Sequence, residues 1–224
     1  MSCLYIVPTP IGNLKDITIR SIELLNQVDL ILAEDTRTTS HLLKQYNIST
    51  RLRSYHQYNE HKITTSIVKE MLEANKSFAL VSDAGTPAIS DPGFLLIREG
   101  LKQGLEIITL PGPTAFVPAL LQSGFPCDTF IFEGFLPHKK GRQKKIIEIS
   151  QEKRTIVLYE SPHRIEKLLK ELEQHLEKDR KISISRELTK KFEETTTGTI
   201  HELQLKYNSK KPKGEFVVVI EGKK

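Results

Sequence analysis

The sequence predicts an α/β protein made of two α/β domains, and three observations carry that expectation. Short β-rich runs alternate with helical patterns almost from end to end, as in sheets covered by helices. Loops rich in glycine and proline follow the strands, where open α/β sheets bind ligands. The charge also changes at Pro111-Gly112-Pro113, the sharpest turn signal in mid-chain. Residues 1–112 hold 11 Lys and Arg against 12 Asp and Glu, whereas residues 113–224 hold 22 against 16. The boundary is therefore set at residue 112, giving domains 1–112 and 113–224.

Residues 4–7 read as a strand. In 18–28, Ile19, Ile22 and Leu25 form one helical stripe. Residues 29–33 are apolar and strand-like, 36–46 helical, 63–74 helical, and 77–81 a buried strand. A helix at 94–102 ends before Gly104, a residue suited to the left-handed position after a helix, and 106–110 is a strand. This order implies a mostly parallel sheet. In the second half, helices are expected at 114–122, 143–150 and 165–177. Strands are expected at 129–132, 155–159, 181–185 and 215–221.

Composition narrows the function classes. A chain of 224 residues can bury a core without a disulfide or metal staple. No apolar run approaches the ~20 residues of a membrane span, and mean hydropathy is −0.32. The start, Met1-Ser2-Cys3-Leu4-Tyr5, lacks the basic region of a signal peptide. Cys3 and Cys127 stand far apart outside any CxxC pair, which fits a reducing cytoplasm. Dinucleotide-binding GxGxxG, P-loop, HExxH and GxSxG motifs are absent. Seven scattered histidines show no metal-ligand spacing, so no metal is expected. The net charge of +5 points to a polyanionic partner, against the plainer reading of a basic solvated face.

Four loops are too rich in Gly, Pro and polar residues to be ordinary connectors. Pro8-Thr9-Pro10-Ile11-Gly12-Asn13-Leu14 is stiffened by two prolines, with Gly12 free to turn, and taken by itself reads as a rigid turn. In 82–93, Asp91 suits a helix N-cap and Pro92 the first helical position, which leaves Asp83 and Gly85 without a structural explanation and favours a ligand. At Leu110-Pro111-Gly112-Pro113-Thr114-Ala115, Thr114 either caps the next helix or binds. Tyr159-Glu160-Ser161-Pro162-His163-Arg164 delivers a carboxylate, a hydroxyl, an imidazole and a guanidinium within six residues. Two further stretches are chemically loaded: Glu34-Asp35-Thr36-Arg37, and 186–194, whose plainer reading is an exposed helix with i,i+4 ion pairs. The segment 138–145 holds five basic residues in eight and no acid. Its Lys139, Lys140, Arg142, Lys144 and Lys145 are the candidate residues for docking a polyanion, against a solvated lysine-rich helix start.

In order, these segments resemble the tetrapyrrole methylase superfamily, and within it the branch that methylates small-subunit ribosomal RNA. The matching pieces are 4–20 (LYIVPTPIGNLKDITIR), 34–39 (EDTRTT), 82–93 (SDAGTPAISDPG), 110–115 (LPGPTA), 133–137 (EGFLP), 159–165 (YESPHRI), 186–194 (RELTKKFEE) and 214–222 (GEFVVVIEG). The resemblance implies S-adenosylmethionine as methyl donor, held in a cleft between two α/β domains. It implies transfer to a cytidine 2′-hydroxyl of 16S rRNA within the small ribosomal subunit, by a homodimer. Carried over residue by residue, the donor contacts are Pro10, Ile11, Gly12, Asp83, Gly85, Thr86, Ile89, Thr114, Ala115, Tyr159 and Gly214. Longer members carry a basic extension after the final strand. Here Gly222-Lys223-Lys224 ends the sequence, so RNA docking is expected from the basic second half.

A ribose hydroxyl is a poor nucleophile at neutral pH, so the chemistry calls for a general base. The candidates are Glu160, Asp35, Glu34 and Glu187, with Glu160 and Asp35 ranked first because each follows a predicted strand. Arg37, Arg164 and Arg186 are expected to hold phosphates bidentately, and His163 to stack on a base or relay a proton. The competing readings are a tetrapyrrole or diphthine-type methylase of the same superfamily, disfavoured by the EDTRTT, SPHRI and RELTKKFEE segments, and a non-catalytic rRNA-binding assembly factor.

Overall fold

The computed structural model describes residues 2–207 and 213–224. The chain divides into two compact units, Met1–Thr114 and Ala115–Lys224.

The first unit is a parallel five-stranded sheet in the order β3-β2-β4-β1-β5. Its strands are β1 (Cys3–Ile6), β2 (Leu30–Ala33), β3 (Leu52–Ser54), β4 (Phe78–Val81) and β5 (Glu106–Thr109). β2 and β4 are buried at every position, which explains their unbroken apolar sequence. The helices α1 (Ile19–Gln27), α2 (Thr36–Gln45), α3 (Glu60–Glu73) and α4 (Phe94–Lys102) connect them. Two apolar clusters pack here: one centres on Leu32, Ile67, Met71, Leu80 and Leu96, the other on Leu25, Ile31, Leu43 and Val81. Thr18 caps α1 by accepting from the Ser21 amide at 3.0 Å. Because every strand runs the same way, the loops after β1, β2, β4 and β5 emerge on one edge of the sheet.

The second unit differs from the first in sheet direction. Its sheet, in the order β6-β7-β10-β8-β9, is mixed. β6 (Phe130–Phe135) and β7 (Thr155–Glu160) are parallel, while β10 (Phe216–Ile220) runs antiparallel to both β7 and β8 (Lys181–Arg186). The reason lies in the connections. β8 turns straight into β9 (Glu194–Thr199) as an antiparallel pair, which needs no crossover helix. The stretch 186–194, whose plainer reading is an exposed helix, is the end of β8, a turn, and the start of β9. The helices are α5 (Phe116–Ser123), α6 (Arg142–Gln151), α7 (Ile165–Glu173) and α8 (Ile200–Tyr207). Their core joins Ile146, Ile149, Leu168, Leu172 and Leu203 to Ile156, Leu158, Ile182 and Val218.

Candidate functional site

Three loops of the first unit are tied into one structure. Thr9 and Gly85 exchange both backbone hydrogen bonds, at 2.8 and 2.9 Å. Thr9 Oγ1 also donates to the Ser82 carbonyl at 3.0 Å, and Thr86 Oγ1 donates to the Pro113 carbonyl at 2.9 Å. Gly85 has φ +82°, and a β-carbon there would lie 3.5 Å from Ile11 and 3.9 Å from the Pro113 oxygen. Only glycine takes this conformation without strain. Gly112 is equally constrained, since its β-carbon would fall 2.7 Å from Pro8. So Pro10, Ile11, Gly12, Asp83, Gly85, Thr86 and Ile89 lie on two loops stapled together, and a third loop ending at Thr114 is bonded to them. Thr114 makes no helix cap: the N-cap of α5 is Ala115, with no side-chain hydrogen bond.

Beside this staple stands a group of carboxylates at the ends of β2 and β4. Asp83 Oδ1 accepts from the Asp35 amide at 3.0 Å. Asp35 caps α2 and grips Arg37, whose Nη2 lies 2.6 Å from Asp35 Oδ2. The Arg37 hydrogen bonds hold the Asp35 carboxyl down at about 2. Glu34 shifts the other way: burial, then the Asp83 charge, push it up, and a hydrogen bond from the Asp83 amide opposes them. Asp91 is pushed up to about 7, chiefly by burial and next by the charges of Glu34 and Asp83, against a hydrogen bond from Ser82. Glu34 and Asp91 line an open cavity of about 530 Å³ with Gln57, His61, Ser90 and Phe94.

Asp91 lies outside the site residues the sequence suggests. Its sequence position suits an N-cap of α4, but the N-cap is Gly93, at φ +139° and with no side-chain cap bond. Ala88 and Ser90 both have positive φ, coiling the loop so that Asp91 is spent on the cavity instead of the helix. A carboxylate preceding Pro92-Gly93 was the available signal, since a glycine able to start the helix frees the aspartate before it.

In the second unit, Glu160 is fully buried. One oxygen lies 2.8 Å from Arg164 Nε and the other 3.4 Å from Arg142 Nη2. The Ser161 amide donates to it at 2.8 Å. Arg142, expected on the RNA face, is 3% exposed and points inward, with Nε 2.7 Å from Glu171. Arg142, Ile146 and Ile149 fall at helical spacing on the buried face of α6, so the periodicity held the signal that the lysine-rich context masked. Lys139, Lys140, Lys144 and His163 are exposed, and Lys145 is half-buried against Glu133 and Glu148. Tyr159 is on β7, its ring 5.0 Å from that of Phe132 and 5.6 Å from that of Phe135.

Glu187 follows β8 at φ +52°. Burial raises its carboxyl, but hydrogen bonds from Lys190 and the Glu215 amide, with the Lys190 and Arg186 charges, outweigh this and leave it below the usual range. Gly214, at φ +101°, admits this side chain: a β-carbon would meet Glu187 Cγ at 2.5 Å. Arg186 closes β8, half-buried. Among the described residues no group of three or more His, Cys, Asp or Glu could hold a metal ion, and no helix is long and apolar enough to cross a membrane.

Comparison with known proteins agrees with this architecture. The chain is similar over 98% of its length to cobalt precorrin-4 methyltransferase, a cobalamin biosynthetic enzyme (TM-score 0.72, 18% identity, 95% of that chain). It is similar over the same share to uroporphyrin-III C-methyltransferase from Thermus thermophilus (TM-score 0.64, 16% identity, 94% of that chain). Relatives named ribosomal RNA small subunit methyltransferase I are 46% identical in Synechocystis sp. (99% of this chain, 80% of the relative) and 45% in Thermotoga maritima (100% of both). The Escherichia coli protein of that name is 45% identical over 99% of this chain and 78% of its own length. The family model for tetrapyrrole (corrin/porphyrin) methylases matches residues 3–204, and the chain belongs to that family.

Proposed function

We propose that this protein is an S-adenosylmethionine-dependent methyltransferase that modifies a cytidine 2′-hydroxyl of 16S rRNA in the small ribosomal subunit, as a cytoplasmic homodimer. The observation that carries the reading is the stapled loop cradle beside a carboxylate-lined cavity, in a chain about 45% identical to relatives named for ribosomal RNA methylation. The cradle residues fit the donor. Gly85, at φ +82°, gives the loop a turn that other residues take only with strain, and Asp83 offers a carboxylate to an ammonium group. Pro10, Ile11, Gly12, Thr86 and Ile89 supply main chain, with Thr114, Ala115, Tyr159 and Gly214 as further contacts. When bound, S-adenosylmethionine supplies an electrophilic methyl group.

The chain's own task is then to hold the ribose oxygen in line, at roughly 3–3.5 Å from its target, and to take its proton. Glu34 and Asp91 suit the second task, because both are held above the usual carboxylate range beside a cavity. Asp35 and Glu187 are weaker bases, held down by Arg37 and Lys190 respectively. Glu160 is closed in by two arginines, and its role in this reading is to position them.

Full-length protein incubated with S-adenosylmethionine and isolated small subunits should place one methyl group on a cytidine ribose. Methylation of a tetrapyrrole intermediate in its place would overturn the reading in favour of the tetrapyrrole-type alternative. Absence of donor binding by calorimetry would favour a non-catalytic assembly factor. Exchanging Lys139, Lys140 and Lys144 together for Gln should weaken subunit binding and lower its salt slope by about 2, at ~0.7 per phosphate contact on single strands. An unchanged slope would remove this segment from the docking surface.

A further inference from the structure

β6 carries a bulge between Phe132 and Gly134. Without it, Phe135 would face the opposite side of the sheet from Phe132, because side chains alternate along a strand. With it, Phe132 pairs with Val157 and Phe135 with Tyr159, so both rings join Tyr159 on one face. A bulge that re-aims one side chain in this way is a common device beside functional sites. The result is a row of rings: Phe116 to Phe132 at 4.8 Å, Phe132 to Tyr159 at 5.0 Å, and Tyr159 to Phe135 at 5.6 Å. The row ends in solvent, where Phe135 is 53% exposed.

The rim of this ring is braced. The Arg164 guanidinium carbon lies 5.9 Å from the Phe135 centroid, and Arg164 donates to the Leu136 carbonyl at 3.3 Å. Arg142 donates to the next carbonyl, Pro137, at 3.3 Å. The buried Glu160 pairs with both arginines and Glu171 with Arg142, so two carboxylates balance the two guanidiniums. Two charged side chains thus fix the backbone that follows Phe135, and a third, fully buried, fixes them. Such a brace exceeds what an idle surface phenylalanine requires. Along the chain no acid occurs from Gly134 to Lys145, and Lys139, Lys140, Lys144 and His163 are exposed, Lys144 within 3.9 Å of Glu148.

We infer that Phe135, framed by Arg164, is a stacking platform for an unpaired base of single-stranded RNA, with the neighbouring lysines on its phosphates. An exposed aromatic face beside mobile cations is how proteins hold single strands: bases stack on the ring and lysines follow the backbone. RNA read by a protein is most often unstacked and splayed onto aromatic or arginine planes. The inference rests on the RNA reading above and adds the contact surface. Glu160, Arg142 and Glu171 act in it as positioning residues.

The test is equilibrium binding of the full-length protein to a labelled single-stranded, cytidine-rich oligoribonucleotide and to isolated small ribosomal subunits, with donor binding by calorimetry in parallel. Phe135→Ala should weaken binding by about ten-fold or more on whichever RNA the wild type binds, in line with the loss of one stacked base. Phe135→Tyr should bind as the wild type does, and donor affinity should stay within about two-fold in both. Equal RNA binding by Phe135→Ala and the wild type, a loss confined to the donor, or a wild type that binds neither RNA would each overturn the platform. If the wild type binds RNA through Phe135 but methylates no subunit, the platform stands and the proposed reaction falls.

Discussion

Glu160→Ala should lower the stability of the second unit by about 3–5 kcal/mol, the usual loss when one partner of a buried ion pair is removed. The size follows from what is left behind. Arg142 is 3% exposed and Arg164 16% exposed, so neither guanidinium can turn to water without moving the backbone carbonyls it holds. Arg142 would keep Glu171 at 2.7 Å, which sets the loss below that of a wholly abandoned charge. Glu160→Gln keeps an acceptor for the Ser161 amide and should lose less. Urea unfolding followed through the tyrosines of the second unit reads the difference, and a change under about 1 kcal/mol for Glu160→Ala would contradict the burial argument. The same pair of variants separates two roles. A structural Glu160 leaves the pH dependence of methyl transfer where it was, even where the rate falls, whereas a proton-accepting Glu160 shifts or abolishes it.

Both the architecture and the loops that make the cradle were legible in the sequence, for physical reasons. α4 runs over the expected 94–102 because Gly93 and Gly104 bracket it, and β4 stands out because a strand covered on both faces is apolar throughout. What escaped detection was held by tertiary contacts. β9, with the sequence Glu-Thr-Thr-Thr-Gly-Thr, is a polar edge strand paired only to β8, and its pattern carries no apolar alternation to announce it. β3 spans only three half-buried residues. Among the site residues, type and position along the chain put Glu160 and Asp35 first, without the partners that set how basic each carboxylate is. The rank depends on partners: Arg37 two residues after Asp35 was visible, whereas Arg142 reaching Glu160 from another element was not. Asp91 matches a local rule, aspartate before proline at a helix start, yet the backbone uses Gly93 as the N-cap of α4.

Asp91→Asn should reduce the methyl-transfer rate by about 10²–10⁴-fold, the range for losing a general base, and should remove a pH limb that the wild type shows. The sign follows from the carboxyl held at about 7. Below that pH the group is protonated and cannot take the proton of the methyl acceptor, so the wild-type rate should fall about tenfold per pH unit on the acid side and level off above pH 7. Glu34, Asp83 and Ser82 all act on this carboxyl, and Glu34 is itself raised by burial and by the Asp83 charge. The limb therefore belongs to the group, and Glu34→Gln should move it to lower pH by removing a negative neighbour. Stability has the opposite slope. An acid whose folded value lies above its unfolded value, here about 7 against 3.8, binds more protons when folded, so stability falls as pH rises from about 4 to 7. Asn at position 91 cannot ionise, so Asp91→Asn should match the wild type near pH 4 and be the more stable of the two above pH 7. A variant that is slower yet more stable at alkaline pH is what a strained catalytic carboxylate yields. A variant slower and less stable at every pH would make Asp91 a structural residue, and would leave Glu34 to take the proton alone.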